Sequence, residues 1–295
     1  MIPCIFLRPR TIALSRQYAI KAMGFKTQLS GCITEEVIRR IPSRFEVIGD
    51  IAIISLPEEL KGYASLIADA IRSGRHSIHT VVQKTGRVEG DRCTGRYGII
   101  HGETTVTSHR EFGFLYRLDI ASVFCNPRLA SERRRVAGQV QPGESVLVPF
   151  CGIGPFVIPA ASNGASVTAV ENNPDAFRYL QENLRLNHCT DRVHALCGDA
   201  FSLSFPMGRQ FDRIIIPTPY GMDAILPLLR PRVKPGGMLH FYTFQNKRQS
   251  KELEDGFFQA GFRVITRRRC GNVAPSVSRW VFDLKKMDSV EISKK

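Results

Sequence analysis

Residues 145–187 read SVLVPFCGIGPFVIPAASNGASVTAVENNPDAFRYLQENLRLN, and this stretch decides the fold class. Two short runs of apolar and β-branched residues predict strands, and each is followed by a segment with the apolar spacing of a helix. The predicted strands are Ser145–Phe150 and Ser166–Val170, and the predicted helices are Phe156–Ala161 and Pro174–Asn187. Strands that alternate with helices indicate a parallel, doubly wound α/β sheet.

The same alternation continues towards the end of the chain. We predict strands at Val193–Cys197, Phe211–Ile216, Met238–Phe244, Phe262–Thr266 and Ser278–Leu284, helices at Asp223–Leu229 and Lys251–Ala260, and loops at Lys247–Ser250 and Gly271–Ser278. Before residue 140 the chain is rich in arginine, and its elements are short: Phe45–Leu56 predicts one or two strands, and Glu58–Ile71 predicts a helix. We therefore expect a Rossmann-like α/β domain over residues 119–295 and a smaller N-terminal α+β domain over residues 1–118.

The ends of the predicted strands indicate the ligand, because ligands of open parallel sheets bind beyond the carboxyl ends of the strands. Gly152 and Gly154 let the backbone approach a ligand closely, but the third glycine of a pyrophosphate cradle is missing. Glu171 ends the second strand, where a carboxylate can accept hydrogen bonds from both hydroxyls of a ribose. Asp199 follows the third strand, where it can bind an adenine amino group. Together these residues favour a nucleoside cofactor without phosphates, S-adenosylmethionine rather than a dinucleotide.

Each of these residues also has a purely structural interpretation. The glycines can form an ordinary turn, and Glu171 can be a carboxylate favoured by the dipole at the start of a helix. Asp199 can form an Asx turn with its own backbone. The sequence leaves both interpretations open at all three places.

The charge balance points to a polyanionic partner. The chain has 295 residues, of which 41 are Lys or Arg and 27 are Asp or Glu, so its net charge is +14. Nucleic acid is the first partner that such an excess favours and an anionic membrane surface the second, while a basic protein with neither partner is the alternative. Four runs of basic residues fit an RNA backbone: Arg133–Arg135, Lys247–Arg248, Arg267–Arg269 and Lys285–Lys286. One such run alone is more often a solvated face.

Several classes of protein are disfavoured. The eight cysteines are scattered without a C-x-x-C pair, which argues against a zinc site and a disulfide scaffold. No apolar run approaches the roughly 20 residues that span a bilayer, and the N-terminus lacks the apolar core of a secretory signal, although its lack of acidic residues leaves a mitochondrial presequence open. We expect a cytoplasmic monomer in a reducing environment, without a metal and without a membrane contact.

Several segments together resemble a known family. The segments VLVPFCGIGPFVIP, VTAVENNPDAFRYLQENLRLN, GDAF, DRIIIPTP and GGMLHFYTF look like a class I methyltransferase domain. FEVIGDIAIISLPEEL, HGETTVTSHREFGFLYRLDIASVF and NPRLASERRRVAG, in this order, are more specific. They are similar to the tRNA (guanine-N1)-methyltransferase and wybutosine aminocarboxypropyltransferase family of archaea and eukaryotes, and the resemblance runs from about Phe45 to Leu284.

The resemblance implies methyl transfer from S-adenosylmethionine to N1 of the guanine that follows the anticodon of tRNA. It implies that Glu132, in the segment NPRLASER, is the general base that removes the N1 proton. It also implies that an arginine stabilises the charge on the guanine oxygen; Arg92 is the nearest match and Arg96 its rival. The alternative for Glu132 is a surface helix carboxylate paired with Arg135, and for Arg92 it is a solvated or phosphate-facing side chain.

The family's other site residues can be placed in the same way. The cofactor contacts that the resemblance and the strand ends imply are Arg133, Phe150, Gly152, Gly154, Glu171, Asn172, Asp199, Ala200 and Pro217. The residues expected to face the tRNA are Arg128, Arg134, Arg135, Arg267 and Arg268.

Two positions depart from the family's methyltransferases and keep other activities open. Val148 stands where an acidic residue usually ends the first strand, and Pro217-Thr218-Pro219 replaces the usual Asn-Leu-Pro after the fourth strand. The aminocarboxypropyl branch also tends to lack that asparagine, whereas His240–Phe244 and Pro127-Arg128 resemble the methyltransferases. Methyl transfer is therefore the favoured interpretation; aminocarboxypropyl transfer to a wyosine precursor and a non-catalytic relative that binds tRNA are the alternatives.

Overall fold

The computed structural model describes residues 23–86, 95–203, 208–274 and 276–288. Its helices are α1 (Met23–Thr27), α2 (Glu35–Arg40), α3 (Ala64–Ser73), α4 (Ala130–Ala137), α5 (Val157–Ser162), α6 (Pro174–Leu186), α7 (Ile225–Leu229) and α8 (Lys247–Gln259). Its strands are β1 (Glu46–Ile48), β2 (Ile51–Ile54), β3 (Thr80–Lys84), β4 (Tyr97–His101), β5 (Val106–Glu111), β6 (Phe114–Asp119), β7 (Ser145–Pro149), β8 (Ser166–Glu171), β9 (Val193–Cys197), β10 (Phe211–Ile216), β11 (Val233–Gln245), β12 (Phe262–Ala274) and β13 (Val277–Lys286).

The larger sheet has seven strands in the order β12-β13-β11-β10-β7-β8-β9. Strands β11, β10, β7, β8 and β9, adjacent in this order, pair with one another in parallel, as the alternation of strands and helices predicts. Strand β13 is antiparallel to both β11 and β12, so the expectation of a wholly parallel sheet is wrong at this edge. Only two residues connect β12 to β13, and a connection this short can join only antiparallel strands.

Two predicted loops near this edge also prove to be regular structure. Helix α8 already begins at Lys247, because Asn246 and Gln249 form a reciprocal capping box. Strands β12 and β13 continue through most of the stretch from Gly271 to Ser278, where their backbones pair with each other. The prediction of loops is therefore wrong for both segments, because helix capping orders the first and cross-strand pairing orders the second.

The N-terminal part forms a separate four-stranded mixed sheet in the order β1-β2-β3-β4. The 3-10 helix Glu58–Tyr63 and the following helix α3 together form the helical segment that the sequence predicts at residues 58–71. The apolar side of α3 packs into a cluster that includes Ile67 and Ile71, both of them buried. This cluster gives the smaller sheet a hydrophobic core of its own.

The hairpin β5–β6 lies between the two sheets. Two asparagines hold it, Asn183 of α6 and Asn187 just after that helix. Asn187 accepts a hydrogen bond from the Leu115 backbone N–H at 2.9 Å, and Asn183 accepts one from Arg117 N–H at 2.7 Å. Asn183 also donates to the Ile153 carbonyl, 3.1 Å away in the glycine turn. The hairpin is thus attached to the larger domain, and the boundary at residue 118, which falls inside β6, stays a prediction.

Two properties of the described residues bear on the class of protein. No helix in these stretches is both long and apolar enough to cross a membrane. In the same part of the chain, no three His, Cys, Asp or Glu side chains come together in a way that could hold a metal ion.

Asp212 links the starts of three strands of the larger sheet. Its carboxylate accepts hydrogen bonds from the backbone N–H and the hydroxyl of Ser145 at 2.9 and 2.6 Å, and from Lys234 at 2.8 Å. Burial alone would raise the pKa of Asp212, but the hydrogen bonds from Lys234 and Ser145 outweigh it and lower the pKa to about 2.

We expect Asp212→Asn to lower the free energy of unfolding by about 1 kcal/mol at pH 7, a modest value because the side chain is one-third exposed. The pKa is lower in the folded protein, so the carboxylate stabilises the fold above its unfolded pKa of 3.8 and loses this effect as the pH falls towards 2. Urea unfolding of both proteins at several pH values measures the difference. A difference that does not narrow below pH 4 would contradict the role of the charge.

Candidate active site

The turn after β7 brings the backbone close to the carboxyl edge of the sheet. Phe150, Gly152 and Gly154 have positive φ angles of 52°, 56° and 98°, which only glycine adopts without strain. A Cβ at Gly154 would lie 2.8 Å from the Leu180 side chain, so this glycine lets the turn pack against α6. A Cβ at Gly152 would meet no atom within 4 Å. The turn therefore presents open backbone at Gly152, while Gly154 has a packing role.

Glu171, the last residue of β8, is hydrogen-bonded to this turn. Its two carboxylate oxygens accept backbone hydrogen bonds from Gly152 at 2.7 Å and from Asn173 at 2.8 Å. Burial raises the pKa of Glu171, and these hydrogen bonds only partly offset it. Each carboxylate oxygen can accept a second hydrogen bond, so Glu171 can hold the turn and still receive hydroxyl donors from a ligand.

The other expected cofactor contacts lie at the same edge of the sheet. Asn172 is exposed beside Glu171, and Pro217 follows the last residue of β10. Asp199 is exposed and accepts a hydrogen bond from the Phe201 backbone N–H at 3.0 Å, so it forms the Asx turn that was its structural interpretation. The next residue, Ala200, is buried. The rings of Phe150 and Phe201 approach to 6.1 Å between centroids and border this edge on one side.

Glu132 is buried on α4 and surrounded by hydrogen-bond donors; only 5% of it is exposed. Arg135 donates to it through Nε at 3.0 Å and Nη2 at 2.6 Å, and the Tyr242 hydroxyl donates at 3.0 Å. The Nη1 atom of Arg268, a half-exposed side chain on β12, lies 4.0 Å from the second carboxylate oxygen. The structural interpretation of Glu132 was a surface carboxylate paired with Arg135. The pairing is observed, but the carboxylate is buried and not at the surface.

Arg133 faces away from solvent into a second buried ion pair. Its guanidinium donates to both carboxylate oxygens of Glu111, through Nε at 2.8 Å and through Nη2, and to the Asn126 carbonyl at 3.1 Å. Both charged side chains are at least 96% buried. This pair connects helix α4 to hairpin β5–β6. Arg133 therefore has a structural role that is independent of its expected contact with a cofactor.

The arginines expected at the RNA surface occupy three kinds of environment. Arg128 pairs with Glu46, and the Arg134 guanidinium lies 4.8 Å from the ring of Phe112. Arg267 pairs with Glu254 at 2.8 Å. Arg268 is 53% exposed beside Glu132, whereas Arg135 is enclosed between two carboxylates. Arg268 thus connects the basic surface of β12 to the buried carboxylate.

Arg92 and Arg96 are the two candidates for the catalytic arginine. Arg92 lies outside the described residues. Arg96 is exposed immediately before β4, and its carbonyl accepts a hydrogen bond from the Thr85 N–H at 2.9 Å.

Two side chains at this site were not identified from the sequence. Burial and the neighbouring Glu132 carboxylate raise the pKa of Tyr242 well above its usual range, so its hydroxyl stays protonated and donates. Asp283 is buried on β13 and accepts hydrogen bonds from Arg135 at 2.5 and 3.0 Å. An acidic residue inside the apolar strand sequence RWVFDL was the available signal, because buried carboxylates need partners.

The strand order, the glycine turn and the carboxylate at the end of the second strand define a class I methyltransferase fold. The family model for the TRM5/TYW2 methyltransferase domain matches residues 107–257, and the model for the TYW2 N-terminal domain matches residues 25–105. The chain belongs to this TRM5/TYW2 family.

Two relatives with different activities are similar to the chain. The tRNA (guanine(37)-N(1))-methyltransferase Trm5b of Pyrococcus abyssi is 39% identical over 72% of this chain and 63% of its own length. The tRNA(Phe) (4-demethylwyosine(37)-C(7)) aminocarboxypropyltransferase of Pyrococcus horikoshii is 31% identical over 87% of this chain and 94% of its own. The chain therefore spans less than two thirds of the first relative and almost all of the second.

Solved structures of both kinds of relative superpose on the chain. The crystal structure of Trm5b from Pyrococcus abyssi superposes with a TM-score of 0.76 and 34% identity, over 87% of this chain and 79% of that one. The structure of TYW2 from P. horikoshii in complex with MeSAdo superposes with a TM-score of 0.73 and 30% identity, over 88% and 97% of the two chains. The fold is common to both activities.

Proposed function

We propose that the protein is a tRNA-modifying methyltransferase that uses S-adenosylmethionine and acts at N1 of guanine 37. The observation that carries this proposal is the buried Glu132 carboxylate beside the half-exposed Arg268. A guanine N1 carries a proton and becomes nucleophilic only when that proton leaves. Glu132 supplies the acceptor, and the identity to the Pyrococcus abyssi guanine methyltransferase supports this target.

The residues at the carboxyl edge of the sheet fit an adenosine-type cofactor. Glu171 retains acceptor capacity for ribose hydroxyls, and the backbone at Gly152 borders open space. No third glycine follows in the turn to cradle a pyrophosphate, which fits a cofactor without phosphates. When bound, S-adenosylmethionine supplies a methyl group on a positively charged sulfur. We propose that Phe150, Gly152, Gly154, Glu171, Asn172, Asp199, Ala200 and Pro217 form its site.

In the proposed reaction, Glu132 accepts the N1 proton as the N1 lone pair forms a bond to the methyl carbon. The bound cofactor would supply the methyl group, and the electron pair of the broken carbon–sulfur bond would stay on its sulfur. Negative charge that develops on the guanine oxygen requires a cation. Arg92 is the candidate from the resemblance. Arg268 is a second candidate, because its guanidinium lies close enough to Glu132 to contact the same edge of the guanine.

The proposed partner is tRNA, which agrees with the net charge of +14. We propose that Arg128, Arg134, Arg267 and Arg268 face it, because each has an exposed or partly exposed side chain on or near the elements that carry Glu132. Arg135 is bound to Glu132 and Asp283, so we assign it to the interior of the site.

Aminocarboxypropyl transfer to a wyosine precursor in tRNA is the second candidate. The match to a TYW2 N-terminal domain favours it, and so does the coverage of 94% of the Pyrococcus horikoshii transferase. Pro217 in place of the family's asparagine agrees with it as well. Both activities would use the same nucleoside crevice, and they differ in which carbon–sulfur bond breaks.

The products distinguish the candidates. We expect incubation of the protein with S-adenosylmethionine and a tRNA bearing unmodified guanine 37 to yield 1-methylguanosine and S-adenosylhomocysteine, identified by mass spectrometry. A parallel incubation uses tRNA that carries 4-demethylwyosine. Methylthioadenosine and an aminocarboxypropyl nucleoside in that sample alone would establish the second candidate. Salt-dependent tRNA binding without either product would show a non-catalytic relative.

A further inference from the structure

A continuous line of hydrogen-bonded side chains crosses one face of the larger sheet and ends at Glu132. It begins at the segment before β7, passes across strands β10, β11 and β13, and reaches helix α4. Its members, in order, are Glu144, Arg213, His240, Asp283, Arg135 and Glu132. Five of the six are at most 5% exposed or enclosed between charged partners, and together they place three arginine or histidine side chains between three carboxylates.

The hydrogen bonds determine the proton position on His240. Arg213 can only donate, and its Nη1 lies 2.6 Å from His240 Nε2, so this nitrogen accepts. The other nitrogen, Nδ1, then carries the proton and donates to Asp283 at 2.7 Å. Burial lowers the pKa of His240, and the charge of Arg213 acts in the same direction, so the ring stays neutral. His240 thus orients the Asp283 carboxylate without adding a charge.

Arg135 donates hydrogen bonds to two carboxylates, those of Asp283 and Glu132. Arg135 donates Nη1 and Nη2 to Asp283 at 2.5 and 3.0 Å, and Nη2 and Nε to Glu132 at 2.6 and 3.0 Å. Burial would raise the pKa of Asp283, but the hydrogen bonds from His240 and Arg135 outweigh it and lower the pKa, so Asp283 stays ionised. A carboxylate that held Arg135 alone would be a weaker base than one that shares it.

We propose that Asp283, oriented by His240, is a positioning residue that shares Arg135 with Glu132 and thereby holds the Glu132 carboxylate in place to accept a proton. This inference rests on the proposed function of Glu132 as the base. The line does not conduct protons, because the guanidinium of Arg135 stays protonated between the two carboxylates. The groups that face Glu132 are Arg135 from α4, Tyr242 from β11, Arg268 and Cys270 from β12, and Asp283 of β13 through Arg135.

The test replaces Asp283 with asparagine, which keeps the shape and removes the charge. Arg135 then faces Glu132 as its only anion, so protonation of Glu132 becomes harder. We expect the protonation of Glu132 to move to lower pH than in the wild type. NMR of protein with ¹³C-labelled glutamate carboxyls measures this, and Glu132→Gln assigns the signal. We expect the acid limb of the single-turnover rate to move in the same direction and the plateau rate to fall about tenfold.

His240 provides a second variant with the opposite sign. In His240→Leu the Asp283 carboxylate loses its donor and holds Arg135 more strongly, so the titration of Glu132 moves to higher pH. In His240→Gln one amide group can still accept from Arg213 and donate to Asp283, and we expect the wild-type profile to be retained. Thr168→Val, which removes a buried hydroxyl group on β8, is the matched control, and we expect it to leave the protonation of Glu132 unchanged.

The outcomes separate this inference from the proposed function. An unchanged Glu132 titration in Asp283→Asn, or shifts of the same sign in Asp283→Asn and His240→Leu, would overturn the positioning role. Wild-type protein that transfers no group, while its Glu132 titration shifts as described in the variants, would reject the proposed function and support the coupling of Asp283 to Glu132.

Discussion

Replacing Glu132 with glutamine is expected to lower the single-turnover rate of group transfer by about 10²–10⁴-fold, the range that loss of a general base produces. Glutamine has nearly the same shape and can still accept the hydrogen bond from Tyr242, but it cannot take a proton at neutral pH. The measurement is the rate at saturating cofactor and tRNA, together with the affinity for each.

The same variant should remain folded, because no buried charge is left without a partner. Arg135 keeps both of its hydrogen bonds to Asp283 when Glu132 is neutral. Glu182→Gln, which alters a partly exposed carboxylate 3.4 Å from Arg117, is the control for the loss of one negative charge. A Glu132→Gln enzyme that turns over as fast as wild type would remove Glu132 from the chemistry, whatever the fold.

The parts of the site that the sequence predicts are those built from neighbouring segments. The glycine turn and Glu171 are separated by one helix in a βαβ unit, so strand spacing alone places them together, and Gly152 donates to Glu171 as this arrangement requires. The enclosure of Glu132 could not be predicted, since Tyr242 and Asp283 are 110 and more residues away in sequence. Their contact depends on how β11 and β13 pair beside α4.

Two differences in the fold have a similar physical origin. Helix α4 has the sequence ASERRRVA, with few apolar residues, and it buries the charged side chains of Glu132 and Arg133 in ion pairs beside its apolar Val136. The direction of β13 follows from a two-residue connection to β12, whereas alternation of strands and helices predicts a parallel neighbour. Hydrophobic periodicity describes elements that pack through apolar faces, and it gives little information on elements fixed by charge pairs or hairpin connections.

The buried pair between Arg133 and Glu111 predicts the largest effect on stability. In Glu111→Ala the guanidinium of Arg133, which is 4% exposed, keeps only the Asn126 carbonyl as a partner. Removal of one member of a buried ion pair costs about 3–5 kcal/mol, which corresponds to a melting temperature lower by roughly 10 °C. Thermal unfolding measures this shift. Arg248→Ala, which breaks an exposed pair with Glu252, is the matched control and should leave the melting temperature unchanged.

A double variant separates the structural role of Arg133 from its expected contact with the cofactor. In Glu111→Leu with Arg133→Met no buried charge remains, and apolar replacement of an enclosed ion pair is often neutral for stability, so most of the lost stability should return. If Arg133 also binds S-adenosylmethionine, the affinity measured by calorimetry should stay reduced in this variant although the fold is restored. Full recovery of both stability and affinity would show that Arg133 acts only by tying α4 to the hairpin β5–β6. A double variant as unstable as Glu111→Ala would show instead that the pair contributes shape that apolar side chains cannot replace.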